Sequence, residues 1–367
     1  MKQLRDVSGN YLATKAAQNG KAGNNGTIDQ LAIKQGVPRL FRDVFQHKLR
    51  RDDLITVGSF GQGNMAEVPW VAVFNTAITR SAQHGYYIVL LFSADMRSCY
   101  LSLNQGVTTL SEIYGEKLAH QKLPIIAARA ATYFKQLPGS RLGPISLKAT
   151  RSLGKGYELG AIESFEYGID ALPSEEEFKE HFEQLLEHYD TLYTRLGKAL
   201  EDISPVTEAE FQRVVAEKAD KTTKQPQETL GPKQKPDKKQ TRLGSPYLRD
   251  PKVAARAIQN ASYRCEGNSA HGTIFTANST KKNYVEAHHL IPMEYQDEFE
   301  FSLDVPENVV ALCPNCHRLA HHAIPAEKRE MLCSLIGKRG QLLLKRGISI
   351  DEERLLAMYN DLPDDQG

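Results

Sequence analysis

Hydrophobic and polar positions change rhythm several times along the chain. "EVPWVAVFN" (67–75), "YYIVLLFSAD" (86–95) and "SCYLSLNQG" (98–106) are aromatic and β-branched runs bounded by turn residues, which predicts three strands. The stretch 109–136 carries a helical pattern that Pro124 breaks or kinks. "GPISLKA" (143–149) and "YELGAIESFEYGI" (157–169) predict further strands. "SEEEFKEHFEQLLEHYDTLYTRLGKAL" (174–200) has apolar positions at helical spacing, an acidic first turn and a basic end, so it predicts a long amphipathic helix whose charges suit its dipole.

The pattern then stops. Residues 218–245 have no aromatic side chain and are dense in Lys, Gln, Pro and Thr, with eight Lys/Arg against three acids. Such a segment cannot bury enough apolar surface to offset the entropy of ordering, and it predicts a flexible basic linker. Beyond it come a short helix in "DPKVAARAIQNA" (250–261), two short strands within 273–291, a helix from about 314, and an amphipathic tail helix in 349–362. The fold class expected is α+β. It comprises a mixed α/β domain over 1–215 with a flexible arm at 1–26, a linker over 216–246, a second domain over 247–340 and a helical tail over 341–367.

Composition narrows the functional classes. With 41% hydrophobic and 25% charged residues and no long apolar run, no membrane span is expected. The polar, Gly/Asn-rich start has no apolar core of a signal peptide, so a cytoplasmic, bacterial protein is expected. The net charge of +1 does not announce a nucleic-acid binder, and the basic run at 34–51 reads equally well as a solvated helix face. In a reducing compartment the five cysteines point to metal rather than disulfides.

Six of the eleven histidines lie in 271–322, beside Cys265, Cys313 and Cys316. "CPNCH" (313–317) is a Cys-x-x-Cys knuckle whose spacing lets two thiolates grip one tetrahedral zinc; Cys265 and His271 complete a closed structural set. His317 and His321 are four apart on the expected helix and share a face, which offers two imidazoles to a second ion, while His322 is turned away. His288 on the preceding strand supplies a third ligand. Its neighbour His289 points the other way and remains free to take a proton from water.

"YVEAHHLIPM…ENVVALCPNCHRLAHH" resembles the HNH (ββα-metal) nuclease family. The resemblance implies that His289 is the general base, that Asn308 braces the loop between the strands, and that His317 closes the motif. The His288–His289 doublet with His317 and His321 looks like the colicin-type version, with three histidine ligands for a catalytic divalent ion. Mg²⁺ or Mn²⁺ is expected there, with Ni²⁺ or Zn²⁺ also suited to imidazole.

"SFGQGN…VPWVAVF…GYYIVLLFS" resembles the N-terminal DNA-binding domain of the methylcytosine-specific restriction enzyme B family. The resemblance implies extrusion of a modified cytosine into an aromatic–apolar pocket, with Trp70, Tyr87 and Leu91 at the matching positions. Tyr87 and Leu91 are four apart, so on a strand they share one face. "GSFGQGN" (58–64) reads as a flexible loop and is not a Walker motif. That family's GTP-driven motor is absent, so no nucleotide cofactor is expected. The expected function is a modification-dependent, type IV-like restriction endonuclease acting on double-stranded DNA that carries 5-methyl- or 5-hydroxymethylcytosine, with a homodimer or paired recognition events for cutting both strands. The alternatives are a methylation-indifferent nicking or homing-type HNH endonuclease and a DNA-binding protein whose HNH module only holds zinc.

Overall fold

A computed structural model describes residues 1–23, 26–221, 230–235, 247–271, 274–278 and 280–361. The chain forms two compact units, Met1–Pro205 and Val206–Gly367. Residues 206–215, expected in the first domain, therefore belong to the second unit.

The first unit opens with helix α1 (Lys2–Ala17), where the sequence suggested a flexible arm. Leu4, Val7, Tyr11 and Thr14 recur at helical spacing and are buried, and the Tyr11 hydroxyl donates to the Ala66 carbonyl at 2.9 Å. Glycine and asparagine around them dilute the apolar stripe below notice. Helices α2 (Ile28–Leu31) and α3 (Val37–Arg42) follow, with π-helical turns at Ala32–Gly36 and Asp43–Lys48. The basic run is thus helical: it buries Phe41 and Phe45, while Lys48 pairs with Glu183 and Arg51 with Asp53 and Asp190.

Six strands form one antiparallel sheet: β1 (Leu54–Gln62), β2 (Asn64–Asn75), β3 (Tyr86–Phe92), β4 (Ser98–Gln105), β5 (Arg141–Leu142) and β6 (Ala161–Gly168), in the order β1-β2-β3-β4-β6-β5. "GSFGQGN" is no free loop. It is the bulged end of the β1–β2 hairpin, with Gln62 opposite Asn64. Gly61 sits at φ +113°, and a Cβ there would fall 2.1 Å from the Asn64 carbonyl oxygen, so only glycine fits.

Between β4 and β6 lie α4 (Thr108–Tyr114), α5 (Glu116–Ala131), which continues through Pro124, and α6 (Ser152–Leu159). The strand expected at 143–149 is absent: Gly143 and Lys148 take positive φ, and the segment joins its neighbours through single bonds such as Ala94 N–H to the Leu147 carbonyl. The first part of the strand expected at 157–169 is the end of α6. Helix α7 (Glu175–Leu196) is capped by Ser174, whose hydroxyl accepts from the Glu177 N–H at 3.1 Å. It buries Phe178, Phe182, Leu185, Leu186, Tyr189 and Leu192 in the core.

The second unit begins with α8 (Glu208–Lys221), which occupies the start of the expected linker. Residues 230–235 are also docked, since Gln234 bridges to Phe301 and the Ser302 N–H donates to the Lys233 carbonyl. The rest of the expected linker, 222–229 and 236–246, lies outside the described residues, as does the end of the tail, 362–367. Helix α9 (Pro251–Asn260) leads to β7 (Glu286–His289) and β8 (Val309–Leu312), which pair antiparallel and run into α10 (Pro314–His322). The Gln212 side chain donates to the Ala287 carbonyl and accepts from its N–H, so α8 covers the open edge of this ribbon. Helices α11 (Pro325–Lys345) and α12 (Glu352–Asp361) complete the unit. Leu343, Leu355 and Met358 share one core with Ile291, Val310 and Leu312, so the expected boundary at 340 falls inside a helix and separates nothing.

Candidate active centre and aromatic cavity

β7, β8 and α10 place His288, His317 and His321 around one point. Their ring centroids are 5.1, 4.9 and 4.9 Å apart, and one nitrogen from each lies within 4.8 Å of the others. The i, i+4 pair on α10 and one strand residue make this possible, as the spacing predicts. His317 Nδ1 donates to Glu286 at 2.6 Å, which directs its other nitrogen into the cluster. Burial alone would raise the Glu286 carboxyl, but the His317 contact and the Tyr284 hydroxyl hold it below the usual carboxylate range. Burial, then the nearby His317 and His321, push His288 well below the ordinary imidazole value, so it is a neutral ring with a lone pair to offer. His322 is exposed, in keeping with its expected position off the face.

His289 points elsewhere: its Nε2 meets Asp304 Oδ1 at 3.0 Å. The other Asp304 oxygen accepts from the Asp250 N–H at 2.8 Å, which fixes the carboxylate. Asn308 is 0% exposed and makes the loop between β7 and β8 rigid. Its Oδ1 accepts from the Ile291 N–H, and its Nδ2 donates to the Ile291 and Leu303 carbonyls. It is therefore a brace with no surface left for a substrate.

The second cluster is Cys265, His271, Cys313 and Cys316, whose donor atoms also lie within 4.8 Å of one another. A tetrahedral zinc with Zn–S bonds of about 2.3 Å spaces its sulfurs roughly 3.8 Å apart, so the set fits. His271 Nδ1 lies 3.3 Å from Cys316 Sγ and 3.5 Å from Cys313 Sγ. Burial and the charge of Cys265 push the Cys316 thiol far up. Packed thiolates repel one another until a cation compensates them, which is the chemistry a zinc knuckle supplies.

In the first unit a cavity of about 540 Å³ opens beside the β1–β2 hairpin. Trp70, Phe74 and Tyr157 are its aromatic walls, with Glu67, Arg80 and Arg151 among its polar ones. Of the three pocket residues expected from sequence, only Trp70 lines it. Leu91 pairs directly with Trp70 across the sheet, and the Tyr87 ring lies 5.4 Å from Phe74, but both are buried behind the wall. The shared face is real; α6 decides which part of it stays open. Tyr157 was hidden by the reading of 157–169 as a strand. Burial raises its hydroxyl to about 12, and the Trp70 indole hydrogen-bonds to it.

A family model described as the MrcB-like N-terminal domain matches residues 11–194, half of the chain. The chain belongs to the MrcB-like N-terminal domain family. The cavity lies within that MrcB-like domain. A second model, the HNH endonuclease, matches residues 269–324, which contain both clusters except Cys265. The chain thus joins an MrcB-like domain to an HNH endonuclease domain, a class of nuclease that works with a divalent ion. A curated relative, the type IV methyl-directed restriction enzyme EcoKMcrA of Escherichia coli (strain K12), is 38% identical over 87 residues, which is 24% of this chain and 29% of that protein. The solved structure of the type IV phosphorothioation-dependent restriction endonuclease ScoMcrA matches with 21% identity and a TM-score of 0.23, over 38% of this chain and 22% of that one. Among the described residues no helix is long and apolar enough to cross a membrane.

Proposed function

We propose that this protein is a modification-dependent endonuclease that reads a modified cytosine with its first unit and hydrolyses nearby phosphodiester bonds of double-stranded DNA with its second. The observation that carries the reading is an aromatic cavity next to Trp70 in the same chain as a tri-histidine HNH centre. A base turned out of the duplex stacks between aromatic or apolar walls, and Trp70, Phe74 and Tyr157 offer such walls. Arg80 and Arg151 at the same cavity suit the phosphates that flank an extruded nucleotide.

In the second unit, His288, His317 and His321 hold the divalent ion, with Mg²⁺ or Mn²⁺ the expected occupant and Ni²⁺ or Zn²⁺ also compatible with imidazole. When bound, that ion supplies charge stabilisation for the scissile phosphate and the leaving oxygen. His289 takes the proton from the attacking water. Its Nε2–H is held by Asp304, which leaves Nδ1 as the accepting atom. Cys265, His271, Cys313 and Cys316 hold a structural zinc.

The test is digestion of one plasmid prepared with unmodified, 5-methyl- or 5-hydroxymethylcytosine, in parallel with the Trp70→Ala variant. Cutting confined to modified plasmid, and lost in the variant without a change in melting temperature, supports the proposal. Equal cutting of all three plasmids would replace it with a methylation-indifferent HNH nuclease.

A further inference from the structure

We propose that Tyr359, on α12, is a positioning residue of the tri-histidine centre: its hydroxyl accepts a hydrogen bond from His288 Nε2–H and thereby presents Nδ1 of that ring to the divalent ion. The proposal rests on the reading of His288, His317 and His321 as ion ligands.

The protons available around the Tyr359 hydroxyl decide which nitrogen of His288 bears the hydrogen. The Tyr359 hydroxyl oxygen lies 2.6 Å from His288 Nε2, 2.9 Å from the Leu290 carbonyl and 3.3 Å from the His289 carbonyl. Carbonyls only accept, and a hydroxyl has one proton to give. The Leu290 carbonyl takes it, because two oxygens 2.9 Å apart with no hydrogen between them would repel each other. Toward His288 the oxygen can then only accept, so Nε2 carries the hydrogen. An imidazole that binds an ion is neutral and bears one N–H, which leaves Nδ1 with the lone pair. His317 is set in the mirrored sense, with Nδ1–H given to Glu286 and Nε2 free. A ligand histidine whose second nitrogen has a fixed partner is held in tautomer and in ring orientation, and loss of that partner weakens ion binding by about 10–100-fold.

The supporting helix is built to hold this geometry. Leu355 and Met358 are fully buried, the Tyr295 hydroxyl donates to the Met358 carbonyl at 3.1 Å, and Arg354 pairs with Glu298. The helix itself lies beyond residue 324, where the HNH match ends. The tail helix is therefore part of the ion site and more than an appendage to it.

The experiment uses the full-length, zinc-loaded protein. Ni²⁺ is titrated into the wild type, Tyr359→Phe, Met358→Ala and His288→Ala by calorimetry, and imidazole ¹⁵N spectra are recorded before Ni²⁺ is added. The expected result is a Ni²⁺ site in the wild type that His288→Ala removes and that Tyr359→Phe weakens about 10–100-fold. Met358→Ala, which loosens the same helix and keeps the hydroxyl, should leave affinity near wild type. The His288 spectrum should show the Nε2–H form in the wild type and a mixture in Tyr359→Phe. Wild-type affinity and an unchanged spectrum in Tyr359→Phe would overturn the proposal and leave the ligand set standing. Equal losses in Tyr359→Phe and Met358→Ala would overturn it in favour of plain packing. No Ni²⁺ uptake that depends on His288 would overturn the ligand set and the proposal together.

Discussion

At the scale of single residues, neighbours in sequence do unlike work because a strand sends them to opposite sides. His288 joins His317 and His321, whereas His289 meets Asp304. If His289 is the proposed base, His289→Ala should reduce cleavage by about 10²–10⁴-fold while Ni²⁺ affinity and melting temperature hold, since its ring lies outside the tri-histidine cluster. Asp304→Asn should also lower the cleavage rate without weakening Ni²⁺ binding, since an amide no longer fixes which nitrogen of His289 carries the proton. A single-turnover assay beside calorimetry measures both. Cleavage at the wild-type rate in His289→Ala would remove it from the chemistry.

At the scale of elements, two clusters hold their units together by different means. The knuckle ties α10 to the loop at Cys265–His271, and structural zinc contributes folding free energy directly. Cys313→Ser should therefore release zinc, measured by elemental analysis, and make the second unit sensitive to limited proteolysis while the first resists. In the first unit Glu163 is fully buried where β6 meets α7 and accepts from His188 Nδ1 at 2.6 Å, the Ser140 hydroxyl and the Leu137 N–H. Burial by itself would raise this carboxyl, but these donors hold it below the usual range. A carboxylate with a depressed folded pKa contributes stability above its unfolded value of about 4.3, and that stability is lost as pH falls through the folded pKa. Glu163→Gln should lower the melting temperature at pH 7 and flatten its fall at acid pH below about 4.3. A variant with the wild-type acid profile would show that other carboxylates set it.

At the scale of the whole molecule, each unit has its own core and its own site. A fragment of residues 1–205 should melt cooperatively and bind duplex DNA carrying modified cytosine more tightly than plain duplex. One methyl is worth roughly 1 kcal/mol of buried contact, or about five- to tenfold in affinity. Most of its affinity should come from phosphate contacts and fall steeply with salt. Fluorescence anisotropy on matched duplexes at two salt concentrations measures this, and equal affinity for both duplexes would count against a reader in this unit.

The sequence by itself located the two clusters of histidine and cysteine and strands β2, β3 and β4, and it missed β1 and β8. Histidine and cysteine types at i, i+3 and i, i+4 spacing are local facts, and alternation or helical periodicity of apolar residues survives any tertiary arrangement. It also carried both family resemblances. It misplaced α1 as an arm, because Leu4, Val7 and Tyr11 declare a helix only once a core exists to receive them. Only the tertiary structure decided the partners of the site. Tyr359 reaches His288 across 71 positions, Asp304 reaches His289 by way of a loop that Asn308 braces, and Tyr157 on α6 meets Trp70 at one cavity. Such contacts depend on where the backbone returns after a loop, and no periodicity along the chain encodes that distance.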